Sequence, residues 1–530
     1  MHPFATRRIQ DALAYTAERV PDKIAIISEG QPHSYRELLA EARAIASTLR
    51  ARGFERGDRV AIYMENSFSS IAVIYGTLMA GGVFMVVNPQ TKEDKLAFIL
   101  QDSGAKFMFA DGYLAHNFVP ALSNETPVRV LLIRGTQPES SDIVATQIAL
   151  DDIDRAALAL APGPIDAGTI ELDLAALIYT SGTTGHPKGV MHTHRSIGFA
   201  IQSIIEYLDI DESNRVLNVL PLAFGYGLTH VFMTMRLGAS LILERSFSYP
   251  AQVLKRLTEH EGTMIGAVPT IYSMLLSMHA KKPLSFPLVT RLTNAAAALP
   301  DSFIGGLREI FPNARLFAMY GQTECFRTAY LDPSLLASNP TSVGHPIPGT
   351  EVELRDPDGR PVPRGEPGIL HVRGPHVTVG YWNLPDKTRE LLKEGPVPGE
   401  RVLCTNDWFR FDDAGLLYFV SRNDDIIKIR GEKVSPIEVE NVLHSIEGVR
   451  EAAVVGIPDE RMGQAIRAYI AKEDGSPLTE KDVQKICLAR LENFMVPKEV
   501  VFLAELPKTQ SGKIRKKSLD ATSASNSTEK

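Results

Sequence analysis

Tyr179-Thr-Ser-Gly-Thr-Thr-Gly-His-Pro-Lys-Gly-Val190 compresses three glycines, four Ser/Thr hydroxyls and one lysine into twelve residues. Gly182, Gly185 and Gly189 let successive backbone N–H groups turn toward an anion, while Thr180, Ser181, Thr183 and Thr184 add hydroxyl donors and Lys188 adds a charge. The segment reads as a cradle for a polyphosphate. Leu174-Ala-Ala-Leu-Ile-Tyr179 before it reads as a buried strand feeding the loop. A Walker A loop needs Gly-Lys-Ser/Thr at its end, whereas Lys188 stands between Pro187 and Gly189, so the geometry of P-loop kinases and GTPases does not fit.

Working outward, apolar strand-like runs alternate with amphipathic stretches. Val60–Tyr63, Phe107–Ala110, Val130–Ile133, Val216–Leu220, Ser240–Leu243 and Met264–Val268 read as strands, with a helix over Ala251–Glu261. This alternation predicts α/β layers around buried sheets. Asn66–Thr91 carries no charge, but Gly76, Gly81, Gly82 and Pro89 divide it into a short core helix and a strand rather than a membrane span. After about Val343 the texture turns to short strands and turns, Glu351–Leu354, Gly368–Arg373 and Leu416–Val420, which predicts a β-rich subdomain. A charged stretch at Arg422–Asp425 then precedes a second strand–helix alternation reaching about Leu519, and Ala521–Lys530 reads as a disordered tail.

With 530 residues and 44% hydrophobic content the chain can bury more than one core. A net charge of -7 argues against a nucleic-acid surface, despite the local basic group Lys513, Arg515, Lys516 and Lys517. Cys325, Cys404 and Cys487 are too far apart in sequence to form a metal-ligand motif or a paired disulfide framework, which favours a reducing compartment. The N-terminus has no apolar signal region, and a cytoplasmic location is expected.

Three clusters turn a phosphate cradle into a reaction. Tyr320-Gly-Gln-Thr-Glu324 follows the expected strand Arg315–Met319, at the strand end where α/β proteins bind ligands. Tyr320 suits stacking on a purine, Thr323 donation to a phosphate, and Glu324 a hold on Mg²⁺. Asp407 and Arg422 pair an acceptor with a donor, as ribose hydroxyls require. Pro507-Lys-Thr-Gln-Ser-Gly-Lys513 presents Lys513 on a turn.

In this order and spacing, together with Arg422–Gly431 and Val434–Glu440, the motifs resemble the adenylate-forming superfamily of acyl-CoA synthetases, adenylation domains and beetle luciferases, over nearly the whole chain. The resemblance implies an AMP-binding domain over residues 1–421 of two α/β subdomains plus a β-rich subdomain. It also implies a hinge over 422–425 at Asp424 and a small mobile α+β lid over 426–520. It implies that a carboxylate and ATP give acyl-AMP and pyrophosphate, after which a thiol, of CoA or of a carrier protein's phosphopantetheine, displaces AMP. Capture of acyl-AMP by an amine is the alternative. By the same resemblance Lys513 bridges carboxylate and α-phosphate, Thr323 meets the α-phosphate, and Glu324 and Thr180 hold Mg²⁺. Ser181, Gly182, Thr183, Thr184 and Lys188 surround the β and γ phosphates. Tyr320 and Gln322 lie at adenine, and Asp407 and Arg422 at ribose. Lys428, Arg430 and Gly431 enter after lid rotation, with Gly431 flanking the pantetheine channel and Arg430 meeting a CoA phosphate. Asn406 and Ser421 stand where many members carry Gly.

Phe224, Gly225 and Tyr226, within Pro221–Gly227, match one wall of the carboxylate pocket, with Ile271, Tyr272, Ala295 and Ala296 completing it. Gly225 stands where α-amino-acid-activating relatives carry Asp, so a medium acyl or aryl/alicyclic acid is expected, and no pocket cation is evident for a second carboxylate. Ala295 replaces a common Gly. His192 and His194 are expected to pack or cap rather than act as bases. A monomer or homodimer, and a place in biosynthesis, complete the expectation.

Overall fold

The computed structural model describes residues 7–122, 126–136, 149–152, 167–180, 187–422, 427–429, 432–459, 463–491, 493–509, 513–516 and 518–519. The expected hinge residue Asp424, the tail 521–530, the cradle residues Ser181–Gly185, and Arg430 and Gly431 lie outside them.

Three sheets organise the chain. The first has a parallel centre, in spatial order Ile24–Ser28, Ser240–Leu243, Arg215–Asn218, Met264–Ala267, Arg291–Asn294 and Arg315–Tyr320. The second runs Gly380–Tyr381, Lys188–Thr193, Leu174–Thr180, Val83–Val86, Arg59–Tyr63, Phe107–Asp111, Val130–Arg134 and Ala149–Asp152. Apolar runs without alternation are what strands covered on both faces require, and Val60, Ala61, Ile62 and Tyr63 are all fully buried. Most expected strands stand within a residue or two of their sequence boundaries. Val216–Leu220 ends early, at Asn218, where the chain leaves the sheet toward the pocket wall.

The uncharged stretch from Asn66 forms the helix Phe68–Met79, capped by Ser67 with Ser70, and then the strand Val83–Val86. Its residues from Ser70 to Leu78 are buried because the helix lies in the core between the first two sheets, packed on the helix Tyr35–Ala51. A helix enclosed on all sides needs no polar face. Among the described residues no helix is long and apolar enough to cross a membrane.

The β-rich segment is continuous with the first sheet. Arg315–Tyr320 pairs antiparallel with Ala329–Tyr330, which leads through Ser342–Pro346 to Leu417–Arg422, Arg401–Phe411, Gly368–Arg373 and Glu351–Arg355. One sheet therefore delivers both the end of Arg315–Tyr320 and the Asp407/Arg422 pair. After Arg422 the chain changes sheet. Ile427–Ile429, Glu432–Val434, Val449–Asp459, Gly463–Lys472 and Glu499–Leu503 build the third, which has its own core around Val439, Leu443, Val454, Ile466 and Cys487. Ser435 donates its hydroxyl to the Val420 carbonyl, and Phe303 meets His444 edge to face at 6.3 Å, joining this unit to the larger one.

Candidate active site

The strand Arg315–Tyr320 ends with its last side chain turned into the β-rich segment. Tyr320 packs edge-on against Phe409 at 4.7 Å and donates its hydroxyl to Asp407 Oδ2 at 2.7 Å. Gln322 Nε2 donates to the same oxygen at 2.8 Å and to the Thr405 carbonyl at 2.9 Å. Asp407 and Arg422 are directly opposed in an antiparallel register, and Arg422 Nε lies 3.9 Å from Asp407 Oδ1. Burial raises the Asp407 pKa, against the opposing effects of Arg422, Tyr320, Gln322 and Lys513. Asn406 has φ +57°, a left-handed conformation that Gly adopts freely and Asn tolerates, which accounts for the residue found there.

Lys513 comes to this same place from the third sheet's unit. Its loop is closed by Thr509 N–H donating to the Lys513 carbonyl at 2.6 Å and Arg515 N–H to the Pro507 carbonyl at 2.7 Å. Burial pushes the Lys513 pKa down to about 8, and the Arg422 cation pushes the same way, while Asp407 and Glu324 pull it up. Residues up to 189 positions apart in sequence, Glu324 to Lys513, thus share one electrostatic site.

Glu324 Oε1 accepts the Tyr381 hydroxyl at 2.8 Å, and Lys188 Nζ lies 5.2 Å over the Tyr381 ring. Tyr381 therefore bridges the Glu324 carboxylate and the cradle lysine. Its strand, Gly380–Tyr381, pairs with Val190 and Met191. Thr180 and Lys188 are cross-strand partners at the two ends of the cradle. Lys428 stands on Ile427–Ile429, opposite Lys433.

The backbone after Tyr320 is held by residues outside the motif. His192 is fully buried, and its Nε2–H donates to the Thr323 carbonyl at 2.7 Å. Burial brings its pKa down to about 4, so the ring is neutral and Nδ1 is left to face the Ser196 hydroxyl at 3.2 Å. Thr378 N–H donates to the Glu324 carbonyl at 2.8 Å. His194 Nδ1 accepts from Ile9 N–H at 3.4 Å, a packing contact. Tyr381, Thr378 and His192 carry no local sequence signal for these positions, because each acts through a contact more than 50 residues away.

On the pocket wall, Phe224 precedes the helix Gly225–Leu237. A Cβ at Gly225 would lie 3.3 Å from the Phe326 ring, a tight contact that a larger side chain could make only if that ring shifted. Tyr226 and Tyr272 both donate to the Thr293 carbonyl at 2.8 Å. Ala295 is buried, but Ala296 is the strained member of its pair, with φ +74°. One expectation is corrected here. A cation does face this wall: Arg327 is 2% exposed, with its guanidinium 5.2 Å over the Tyr226 ring. The sequence carries no cue for this; the turn after Tyr320, where Arg327 N–H donates to the Cys325 carbonyl, directs it inward.

Comparison with known proteins agrees with this arrangement. The AMP-binding enzyme family model matches residues 13–382 and its C-terminal domain model matches 438–513. A long-chain-fatty-acid–CoA ligase of Yersinia pestis is 32% identical over 95% of this chain and 92% of its own length. A 3-hydroxybenzoate–CoA ligase of Aromatoleum sp. (strain CIB) is 29% identical over 94% and 93%. A solved benzoate CoA ligase from Burkholderia xenovorans LB400 superposes with a TM-score of 0.86 at 28% identity, covering 97% of this chain and 99% of that one. With the family model spanning well over half the chain and its motifs gathered at one site, the chain belongs to the AMP-binding enzyme family.

Proposed function

We propose that the chain is an AMP-forming acid–thiol ligase that activates a medium acyl or aryl/alicyclic carboxylic acid with ATP and passes the acyl group to CoA or a carrier phosphopantetheine. The observation that carries this reading is the convergence of Lys513 with Asp407, Glu324 and Arg422 at the end of Arg315–Tyr320. Attack of a carboxylate on the α-phosphate brings two anions together and builds charge on pyrophosphate, so a rate gain has to come from positioning and cationic stabilisation. Lys513 supplies the cation between carboxylate and α-phosphate. The Thr323 hydroxyl meets the α-phosphate on a backbone that His192 and Thr378 hold still. Asp407 and Arg422 take the ribose hydroxyls, with Tyr320 and Gln322 beside the base.

Glu324 and the Thr180 hydroxyl are hard oxygen donors suited to Mg²⁺, which commonly takes one or two carboxylates and completes its shell with substrate phosphates and water. Among the described residues no group of three His, Cys, Asp or Glu could hold a metal ion by itself. Bound there, Mg²⁺ would neutralise charge on the leaving pyrophosphate. In the second half-reaction the lid turns about Asp424, bringing the edge of Lys428, Arg430 and Gly431 toward the thiol.

The deciding experiment is pyrophosphate release over a panel of carboxylic acids, with CoA, a phosphopantetheinyl carrier protein and simple amines offered separately. ATP-dependent release followed by thioester formation is expected. Adenylate formation with capture only by amines would replace the acid–thiol reading, and absence of pyrophosphate with every acid would refute it.

A further inference from the structure

The charge balance of the acyl pocket bears on which acid this chain takes. Arg327 is buried, yet among the described residues it forms no ion pair, and its Nε–H has no hydrogen-bond partner. Its neighbours are neutral rings. Tyr226 lies beneath the guanidinium at 5.2 Å, but its own hydroxyl is engaged by Thr293. Tyr207, which takes a hydrogen bond from Arg327, is a neutral phenol and stacks on Tyr330 at 4.1 Å. His230 stacks edge-on against Tyr226 at 5.2 Å and donates Nδ1–H to Asn218 Oδ1 at 3.0 Å. Its ring is held neutral, its pKa brought down to about 3 by burial and by the Arg327 charge.

A buried arginine is normally matched by a carboxylate or phosphate, because a desolvated cation without an anion is costly and its planar fork suits a carboxylate. The cation–π contact offsets only part of that cost. Position decides where the missing anion would come from. Arg327 directly follows Phe326, whose ring faces Gly225, and it covers Tyr226, so both neighbouring contacts are with the acyl-pocket wall. Glu324, whose charge reaches Lys513, stands three residues before Arg327, while Arg327 itself lies against Tyr226.

We propose that the preferred acid carries a second carboxylate at its distal end and that Arg327 pairs with it. The inference rests on the ligase reading above and narrows it: the acyl chain or ring is held by Tyr226, Tyr272 and the Ala295–Ala296 turn, while Arg327 sets the charge at the far end. A monoacid of the same length leaves the guanidinium without an anion.

The test uses matched pairs, straight-chain and benzene dicarboxylates against the monoacids lacking the second carboxylate, with wild-type enzyme, Arg327→Met and Arg327→Lys. Two readouts are taken: kcat/KM for pyrophosphate release, and the shift in Tm on adding each acid alone. In the wild type the best dicarboxylate is expected to exceed its monoacid by about tenfold to a hundredfold, the usual scale of a hydrogen bond to a charged group. Arg327→Met should reverse the preference, and Arg327→Lys should keep its sign. Preference for the monoacid in every wild-type pair, or a dicarboxylate preference unchanged in Arg327→Met, overturns the inference. The wild-type comparison stands even where a variant fails to fold. Absence of pyrophosphate with every acid refutes the ligase reading alone, and the Tm shifts of the same pairs then decide the role of Arg327 by the same criterion.

Discussion

If Lys513 must be cationic to bring carboxylate and α-phosphate together, adenylation should be lost as pH rises through the lysine's own pKa. That pKa is brought down to about 8 by burial first and by Arg422 second. Near pH 7 roughly nine in ten Lys513 side chains are charged, and near pH 9 roughly one in ten, so kcat/KM for pyrophosphate release should fall about tenfold per pH unit above pH 8. Neighbouring charges give the test its sign. Arg422→Gln removes a repelling cation and should move the alkaline limb up by about one pH unit, whereas Asp407→Asn removes an attracting anion and should move it down. Both variants are expected to lower the plateau as well, and the limb positions are read from normalised profiles. Lys513→Arg, charged throughout the range, should abolish the limb. Stability moves the opposite way. A lysine whose folded pKa lies below its unfolded value of 10.5 disfavours folding while both states are protonated, and that penalty is relieved as pH rises from about 8 to 10.5. A falling kcat/KM with no matching fall in Tm therefore separates titration of Lys513 from alkaline denaturation. A profile flat to pH 9.5, or limbs that stay in place in both charge variants, would refute the assignment.

Lys513→Ala should lower the first half-reaction by about 10²-fold while sparing thioester formation from supplied acyl-AMP, and Gly431→Trp should do the reverse; rapid-quench assays of each half-reaction that show equal losses would exclude a two-position lid. His192→Phe leaves the buried Thr323 carbonyl without its donor and should cost about 1–3 kcal/mol in denaturant unfolding, together with a drop in kcat that His192→Gln partly restores. Ala296→Gly relieves a left-handed backbone and should raise stability by about 1 kcal/mol, visible as a higher Tm; a lower Tm would mean that the methyl group's packing outweighs the strain.

Local chemistry was readable without coordinates wherever the constraint is itself local. The strand leading into the cradle, the strand Arg315–Tyr320 and the helix in the uncharged stretch from Asn66 all express patterns spanning a few residues. At Asn406 the sequence showed only a departure from the Gly of many relatives, and the structure supplied the reason, a positive φ that Asn tolerates. Pairings between distant positions were not readable, because hydrogen bonding and charge depend on distance in space and the chain encodes that distance only through the sheet order. Tertiary structure alone joined His192 to Thr323, Thr378 to the Glu324 carbonyl and Tyr381 to both Glu324 and Lys188. It also placed Arg327, for which the sequence offered no reading. The turn between two antiparallel strands carries it over the Tyr226 ring, where low polarity makes a charge without an anion consequential.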